Sequence, residues 1–299
     1  MTNEHINKGS QVLNNFLPGL IGKYNPEKII CFGSVQESRS TSGCFIKSAL
    51  NESFHFFLVI ILPDARASLM HEIQDYANRH FNKGRITIVA QSWESIQVSL
   101  EKGKTFYNYV LRNGVVLYTR DDQGSDQYVP PDIDHAFALQ LAESAYRHRK
   151  DMARGFLYAA KDCMKIGFHN NALFQLHQAT EQACIQAIRL YLSYRCEIHN
   201  LDRLLDLIKC FAPELTLLFP RKTTRQRQLF ELLKESYSTT RYRSDFKADQ
   251  DDVCELYELV TVFVDEVDVV SFRKLGLLTK AAQKVAASHA DYRPAVGGV

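Results

Sequence analysis

Two groups of residues in this sequence have types and spacings suited to binding a phosphorylated ligand. The first is the Gly33–Ser34 pair, which follows the apolar run 29–32 and is predicted to end a short strand with its backbone N–H groups facing a phosphate. The second combines His177 and Glu181, four residues apart on one face of a predicted helix, with Arg241, Tyr242 and Arg243.

The first group lacks the partners that phosphate-transfer chemistry requires. A metal-dependent site would place carboxylates on the next strand, because Mg²⁺ prefers oxygen ligands. The next predicted strand, 54–62, instead opens with Phe54, His55, Phe56 and Phe57, and Asp64 comes after its end. The sequence therefore predicts no metal site, no cofactor and a scaffold without transfer chemistry. Metal-free nucleotide binding at Gly33–Ser34 stays open.

The second group suits binding rather than bond cleavage. Arginine grips phosphate through two parallel hydrogen bonds, and Tyr237 or Tyr242 offers a ring on which a base can stack. The alternative is a buried polar pair, in which His177 and Glu181 satisfy each other or Arg241.

A basic stretch at residues 221–227, RKTTRQR, is either a solvated loop or part of a nucleic-acid groove. The acidic run 249–252 would pair with these arginines within a dimer.

Composition sets the broad class. The 299 residues suit two domains, and 45% hydrophobic with 23% charged residues is ordinary for a globular protein. A net charge of +2 excludes a strongly basic protein that coats nucleic acid. The seven scattered cysteines indicate free thiols, and no secretory pattern or membrane-spanning apolar run is present, so we expect a cytoplasmic protein.

The hydrophobic periodicity changes near the segment 128–133, YVPPDI. Before it, predicted strands at 28–32, 54–62, 85–90 and 115–118 alternate with helices, one of them over 6–21 and one over 63–81. After it, helices are predicted over 134–166, 172–192, from 199, over 227–246 and over 253–275. We therefore expect an α+β protein with a mixed α/β domain at 1–128, an antiparallel helical bundle at 129–278 and a flexible tail at 279–299.

Three segments of the second half carry a family resemblance: GFHNNALFQLHQATEQACIQAI, IHNLDRLLDL and YSTTRYRSDF. Their asparagine, histidine, glutamate and arginine–tyrosine positions occur in the order of the HEPN family, which residues 130–275 resemble. The first half, over residues 25–120, resembles a nucleotidyltransferase-fold domain through Gly33–Ser34, the strand order and YVLRNGVVLY. HEPN domains are often fused to or paired with minimal nucleotidyltransferases in prokaryotes.

The resemblance also implies where chemistry would lie. HEPN ribonucleases use an arginine and a histidine with four to six residues between them, near the start of the last long helix. Arg241 is followed by YRSDFKAD, which contains no histidine, and the pair Arg195 and His199 is one residue too closely spaced. We therefore predict no catalytic residues.

The expected protein is a non-catalytic nucleotide- or RNA-binding homodimer that associates through its helical bundle. The alternative is a divergent HEPN ribonuclease or nucleotidyltransferase, with a toxin–antitoxin role left open.

Overall fold

The structure, a computed structural model, describes residues 11–64, 66–120 and 128–290. The chain divides between Asp132 and Ile133 into two compact units. The division falls inside the segment 128–133, where the sequence places the change of periodicity. Within the described ranges, no helix is long and apolar enough to cross a membrane.

The first unit is a mixed α/β structure. In chain order its elements are α1 (Leu17–Tyr24), β1 (Lys28–Gly43), β2 (Ile46–Leu62), α2 (Ala67–His80), β3 (Gly84–Ser92), α3 (Trp93–Glu101), α4 (Thr105–Asn113) and β4 (Val115–Thr119). The helix predicted over 6–21 is only partly described: residues 11–14 are helical, and α1 then begins with Pro18 in its first turn.

The four strands form one sheet in the order β3-β2-β1-β4. β2 lies antiparallel to β1 and parallel to β3. Alternate residues of β2, including Phe56 and Leu58, pack with α1 and α2, while Phe57 on the opposite face lies 6.0 Å from the Phe32 ring. The prediction that this apolar strand is covered on both faces is confirmed.

The predicted end of β1 at residue 32 is wrong. The strand continues to Gly43 and forms a long hairpin with β2, in which Gly33 pairs with Phe57 and Ser34 with Phe56. A register shift between Cys31 and Gly33 leaves Phe32 as the extra residue of a bulge, and the ladder continues beyond it instead of stopping there.

The turn before β3 depends on a glycine, as the predicted 82–84 turn requires. Gly84 has a φ of 139°, and a Cβ atom there would lie 1.9 Å from the carbonyl oxygen of Phe54. Only glycine therefore lets β3 begin alongside the start of the buried part of β2.

Among its described residues, the second unit has helices and connecting segments but no strand. Its elements are α5 (His135–Lys165), α6 (His169–Leu192), α7 (Leu201–Ile208), α8 (Pro213–Thr216), α9 (Thr224–Tyr242) and α10 (Gln250–Ala290). The predicted long helices are confirmed, and Asn200 caps α7 by accepting a hydrogen bond from the Arg203 backbone N–H at 3.1 Å.

Helix α6 is the centre of this unit. It is buried without interruption from Ala179 to Ile188 and packs against α5, α9 and α10. A charged network ties three of these helices together: Arg154 on α5 lies 2.7 Å from Asp268 on α10, and Gln186 on α6 donates to the same carboxylate at 3.0 Å.

The expected tail differs from the structure. Helix α10 has 41 residues and continues to Ala290, well beyond residue 278. Alanine is the commonest residue of the stretch 279–290, followed by lysine, and both favour helix strongly, which outweighs the lack of an apolar stripe. The remaining residues 291–299 lie outside the described part of the chain.

Candidate functional site

The Gly33–Ser34 pair does not form the turn that phosphate binding would need. Gly33 is buried and Ser34 is exposed, and both continue the β1–β2 ladder. Neither begins a helix, so the local backbone lacks the concave set of N–H groups that cradles an anion.

The β2 positions where carboxylates would stand are occupied by packing residues. Nε2 of His55 lies 2.8 Å from the Thr87 hydroxyl, and the imidazole stacks on Phe57 with a centroid distance of 4.3 Å. Asp64 is exposed and pairs with Arg66 at 3.0 Å. Among the described residues, no group of three or more histidine, cysteine, aspartate or glutamate side chains is placed to hold a metal ion.

The second candidate group centres on Glu181, a carboxylate that is almost fully buried in α6. Its Oε1 atom lies 3.2 Å from Nδ1 of His199, which belongs to the segment between α6 and α7. The His199 side chain is 64% exposed, whereas that of Glu181 is 4% exposed. His199 therefore links the buried carboxylate to the protein surface by a hydrogen bond.

His177 lies behind this pair rather than at the surface. Its Nδ1 donates to the carbonyl oxygen of Leu233 on α9 at 3.0 Å. Its Nε2 lies 3.6 Å from Oε2 of Glu181, and both atoms are buried without a hydrogen bond. The predicted pairing of these two residues is thus only a close approach, and His177 is not placed to bond a phosphate directly.

Aromatic rings lie beside the two histidines that approach the Glu181 carboxylate. The Tyr237 ring lies parallel to the His199 imidazole at a centroid distance of 6.1 Å and approaches His177 at 5.4 Å. The Arg241 guanidinium lies over the Tyr237 ring at 4.0 Å, and Phe174 stacks on Tyr237 at 6.4 Å. This geometry combines one cation with a stack of rings at the surface.

Arg241 is not the buried partner of Glu181 that the alternative interpretation offered. It is exposed, and its Nε donates to the backbone carbonyl of Tyr237 one helical turn earlier at 2.7 Å. The terminal nitrogens of the guanidinium carry no hydrogen bond to another described residue, so they are available to a ligand.

The two neighbouring candidates differ in their surroundings. Tyr242 is 77% exposed, with its ring 5.0 Å from the Arg241 guanidinium. Arg243 is exposed and pairs with Asp245 at 3.1 Å, which neutralises it locally. Of the predicted residues on α9 and after it, Arg241 and Tyr242 therefore lie beside the Glu181 cluster, and Arg243 is paired.

Burial fixes the segment that carries His199. Tyr194 and Cys196 are 7% and 5% exposed, and burial raises the pKa of the Cys196 thiol to about 11. Alternation of buried and exposed residues leaves Arg195, Glu197 and His199 outside. Sequence reasoning considered His199 for its spacing from Arg195 but missed its contact with Glu181. The signal for that contact was the alternation of buried and exposed residues before the Asn200 cap.

The basic stretch 221–227 is largely neutralised within the chain. Arg221 lies 2.7 Å from Asp202 and over the Phe230 ring, and Arg225 pairs with Glu255 at 2.7 Å and with Asp252. Of the acidic run 249–252, Asp252 therefore pairs with Arg225 inside one chain. The stretch is more a set of helix contacts than a nucleic-acid groove.

Comparison with known proteins identifies the second unit. Residues 146–270 match the HEPN domain family. A nucleotidyltransferase-like protein from Exiguobacterium sibiricum is 12% identical over 90% of this chain and 78% of that chain, with a TM-score of 0.29 that establishes no common fold. No curated protein matched the sequence. The predicted HEPN resemblance is confirmed, and the nucleotidyltransferase-like character of the first unit stays a prediction.

Proposed function

We propose that this chain is a non-catalytic nucleotide- or RNA-binding protein whose ligand contacts the second unit. The reason is that residues 146–270 match the HEPN domain family. The domain supports a nucleotide- or RNA-related function. The observation that carries the proposal is the Glu181 cluster, in which a buried carboxylate is hydrogen-bonded to an exposed imidazole beside an exposed arginine on aromatic rings.

Each surface residue has a role in this proposal. The available nitrogens of Arg241 bind a phosphate, and the imidazole of His199, held by Glu181, adds a second polar contact. Tyr242 and the edge of Tyr237 stack on a base. Glu181 and His177 position these groups from behind, and Gly33 and Ser34 are not included because their backbone is engaged in the hairpin.

Replacement of Arg241 tests the proposal. Loss of one charged contact costs about 1.5–3 kcal/mol, so Arg241→Ala should weaken binding of a labelled single-stranded RNA or of AMP about 10- to 150-fold. Its melting temperature should stay near that of the wild type, because the Tyr237 carbonyl keeps its helical environment. Fluorescence anisotropy, calorimetry and a thermal melt on the same variant give these values.

Arg221→Ala is the matched control. Arg221 stabilises the fold through Asp202 and Phe230, so this variant should melt lower and bind as the wild type does. Unchanged affinity in Arg241→Ala, together with a clear drop in its melting temperature, would assign Arg241 to the fold and overturn the proposed site.

A second candidate function is a divergent ribonuclease, and the Glu181–His199 hydrogen bond favours it. An exposed imidazole oriented by a buried carboxylate has the arrangement of a general base. Metal-independent cleavage of labelled RNA that disappears in His199→Ala would establish this function. RNA that stays intact in the presence of bound wild-type protein would exclude it.

We also propose that the protein is a homodimer that associates through the helical unit. HEPN domains commonly dimerise, and a two-fold contact is the commonest oligomer geometry. Light scattering should give twice the 34.3 kDa mass of the chain. A monomer at micromolar concentration would contradict this assignment.

A further inference from the structure

Two arginines in the second unit have partly buried guanidinium groups, and the buried nitrogen of each lacks a hydrogen-bond partner. The Nε atoms of Arg149 on α5 and Arg189 on α6 are buried and lack a hydrogen bond within the described residues. Arg149 donates from Nη1 to the side-chain oxygen of Gln182. The Arg189 side chain has neither a hydrogen bond nor an ion pair to any described residue. A charged donor that is withdrawn from water and unpaired costs free energy, which a ligand with several acceptor oxygens would recover.

The two side chains lie along the same side of α6. Gln182 and Arg189 are seven residues apart, about two helical turns, and Arg149 reaches Gln182 from α5. Arg189 lies in the last turn of α6. Its Nε atom is buried without a partner, which distinguishes it from a solvated basic residue near a helix C-terminus.

A third arginine adds to the positive charge. Burial lowers the pKa of Arg189, and the charges of Arg149 and Arg195 lower it further. Burial also lowers the pKa of Arg149, with Glu181 opposing and Arg195 reinforcing the shift. Arg195 is exposed and pairs with Glu197 at 3.3 Å. The described acidic groups that act on this cluster are Glu181, Glu197 and the Cys196 thiol, and only Arg195 has a carboxylate within ion-pair distance.

We propose that Arg149, Arg189 and Arg195 form a phosphate-binding cluster that holds the backbone of an RNA strand beside the Glu181 site. The inference rests on the proposed function, since it assigns the ligand of that site to RNA rather than to a free mononucleotide. A mononucleotide has one phosphate position to fill, and Arg241 with His199 already provides it. Glu181 also acts electrostatically on Arg149 of the second set of guanidinium groups. This second set would bind the next phosphates of a single strand.

Replacement of Arg189 in the full-length protein tests the cluster. The probes are a fluorescein-labelled single-stranded RNA of ten mixed-sequence nucleotides and AMP, each titrated at several salt concentrations. Arg189→Gln should weaken RNA binding about tenfold or more, and the slope of log affinity against log salt should become shallower by about 0.7. AMP binding should change less than about twofold. Arg149→Lys, which keeps the charge but loses the planar fork, should weaken RNA binding by a smaller factor.

Arg147→Gln is the matched control, because Arg147 lies on the same helix as Arg149 but is exposed. It should bind RNA as the wild type does. A thermal melt of Arg189→Gln should show unchanged or higher stability, because the substitution removes repulsion without removing a bond.

The outcomes separate the cluster from the proposed function. If the wild-type protein binds RNA and Arg189→Gln leaves that affinity unchanged, the cluster is overturned and the proposed function stands. Equal weakening of AMP and RNA would also overturn it, by placing Arg189 in the mononucleotide site. Failure of the wild type to bind RNA or AMP would overturn both.

Discussion

Each unit of this protein buries a histidine inside its core, and the two side chains have different surroundings. His55 in the first unit is 5% exposed, with Nε2 2.8 Å from the Thr87 hydroxyl and its ring stacked on Phe57. His177 in the second unit is 1% exposed, bonds the Leu233 carbonyl through Nδ1 and leaves Nε2 unbonded opposite a buried carboxylate oxygen.

We interpret this difference as one between a side chain that serves packing and one that supports the proposed site. Buried polar atoms in folded proteins nearly always have partners, and an exception calls for a reason such as binding. In the second unit, the described buried atoms without partners include Nε2 of His177, Oε2 of Glu181 and the Nε atoms of Arg149 and Arg189. The β2 strand of the first unit is filled with satisfied and apolar groups. The described first unit has such atoms only outside β2, at Oδ1 of Asn108 and Nε of Arg120, so the comparison supports α6 and its neighbours over β2 as the location of the proposed site.

The largest expected effect tests the packing role of β2. Phe57 is fully buried, and Phe57→Ala should lower the free energy of unfolding of the first unit by about 3–5 kcal/mol. Calorimetric melting measures this loss, and RNA affinity of the folded variant should stay at the wild-type value. Phe45→Ala, at a ring that is 98% exposed, is the control and should be neutral. Equal stability of the two variants would show that β2 is not the core of its unit.

The elements of both units were largely predictable from the sequence, but the contacts within the site were not. Periodicity predicted α5 and α9 because each buries one stripe, and it predicted α6 although that helix is buried on all sides between Ala179 and Ile188. The β1 hairpin was missed because residues 33–43 are polar and small, and their strand form depends on pairing with β2 rather than on their own propensity.

The Glu181–His199 hydrogen bond could not be predicted from the sequence for a similar reason. It spans 18 residues and depends on how the segment between α6 and α7 folds back. The lack of partners at the buried Nε atoms of Arg149 and Arg189 is a property of packing between helices, which spacing within one helix cannot reveal.

The second expected effect concerns the segment that carries His199. Burial raises the pKa of the Cys196 thiol from its ordinary 9.0 to about 11. The folded protein therefore holds this proton more tightly than the unfolded chain. The stabilising contribution is complete below about pH 9 and is lost as the pH rises toward 11, by about 2–3 kcal/mol in all.

Urea unfolding at several pH values between 8 and 11 measures this loss. In Cys196→Ala the decline should be shallower than in the wild type by that amount. Cys44→Ala, at an exposed thiol, should decline as the wild type does. Parallel curves for wild type and Cys196→Ala would mean that the segment exposes its thiol, and the burial that positions His199 would then be absent.

A third effect tests the satisfied histidine. His55→Phe keeps the ring but leaves the buried Thr87 hydroxyl without the imidazole nitrogen, which should cost about 1–3 kcal/mol of stability. Thr87→Val in the same background should recover part of the loss, because it removes the unpaired hydroxyl. Ligand binding should not change in either variant. A His55→Phe protein as stable as the wild type would show that the His55–Thr87 contact contributes little.

The smallest effect on stability is expected at the other histidine, and it decides the comparison. His177→Phe removes one hydrogen bond to the Leu233 carbonyl, but that oxygen keeps the bond from the Ser236 hydroxyl at 2.7 Å. The substitution also removes the unbonded Nε2 atom that faces Oε2 of Glu181. The net change in the free energy of unfolding should therefore stay within about 1 kcal/mol. RNA affinity should nevertheless fall at least about threefold, since the ring helps to position Glu181 and Tyr237 behind the surface groups.

Anisotropy and a urea melt on His55→Phe and His177→Phe together give a crossed pattern, with stability lost in one variant and binding in the other. If His177→Phe instead loses as much stability as His55→Phe and binds RNA normally, both histidines serve packing, and the unpaired atoms of α6 do not mark a site.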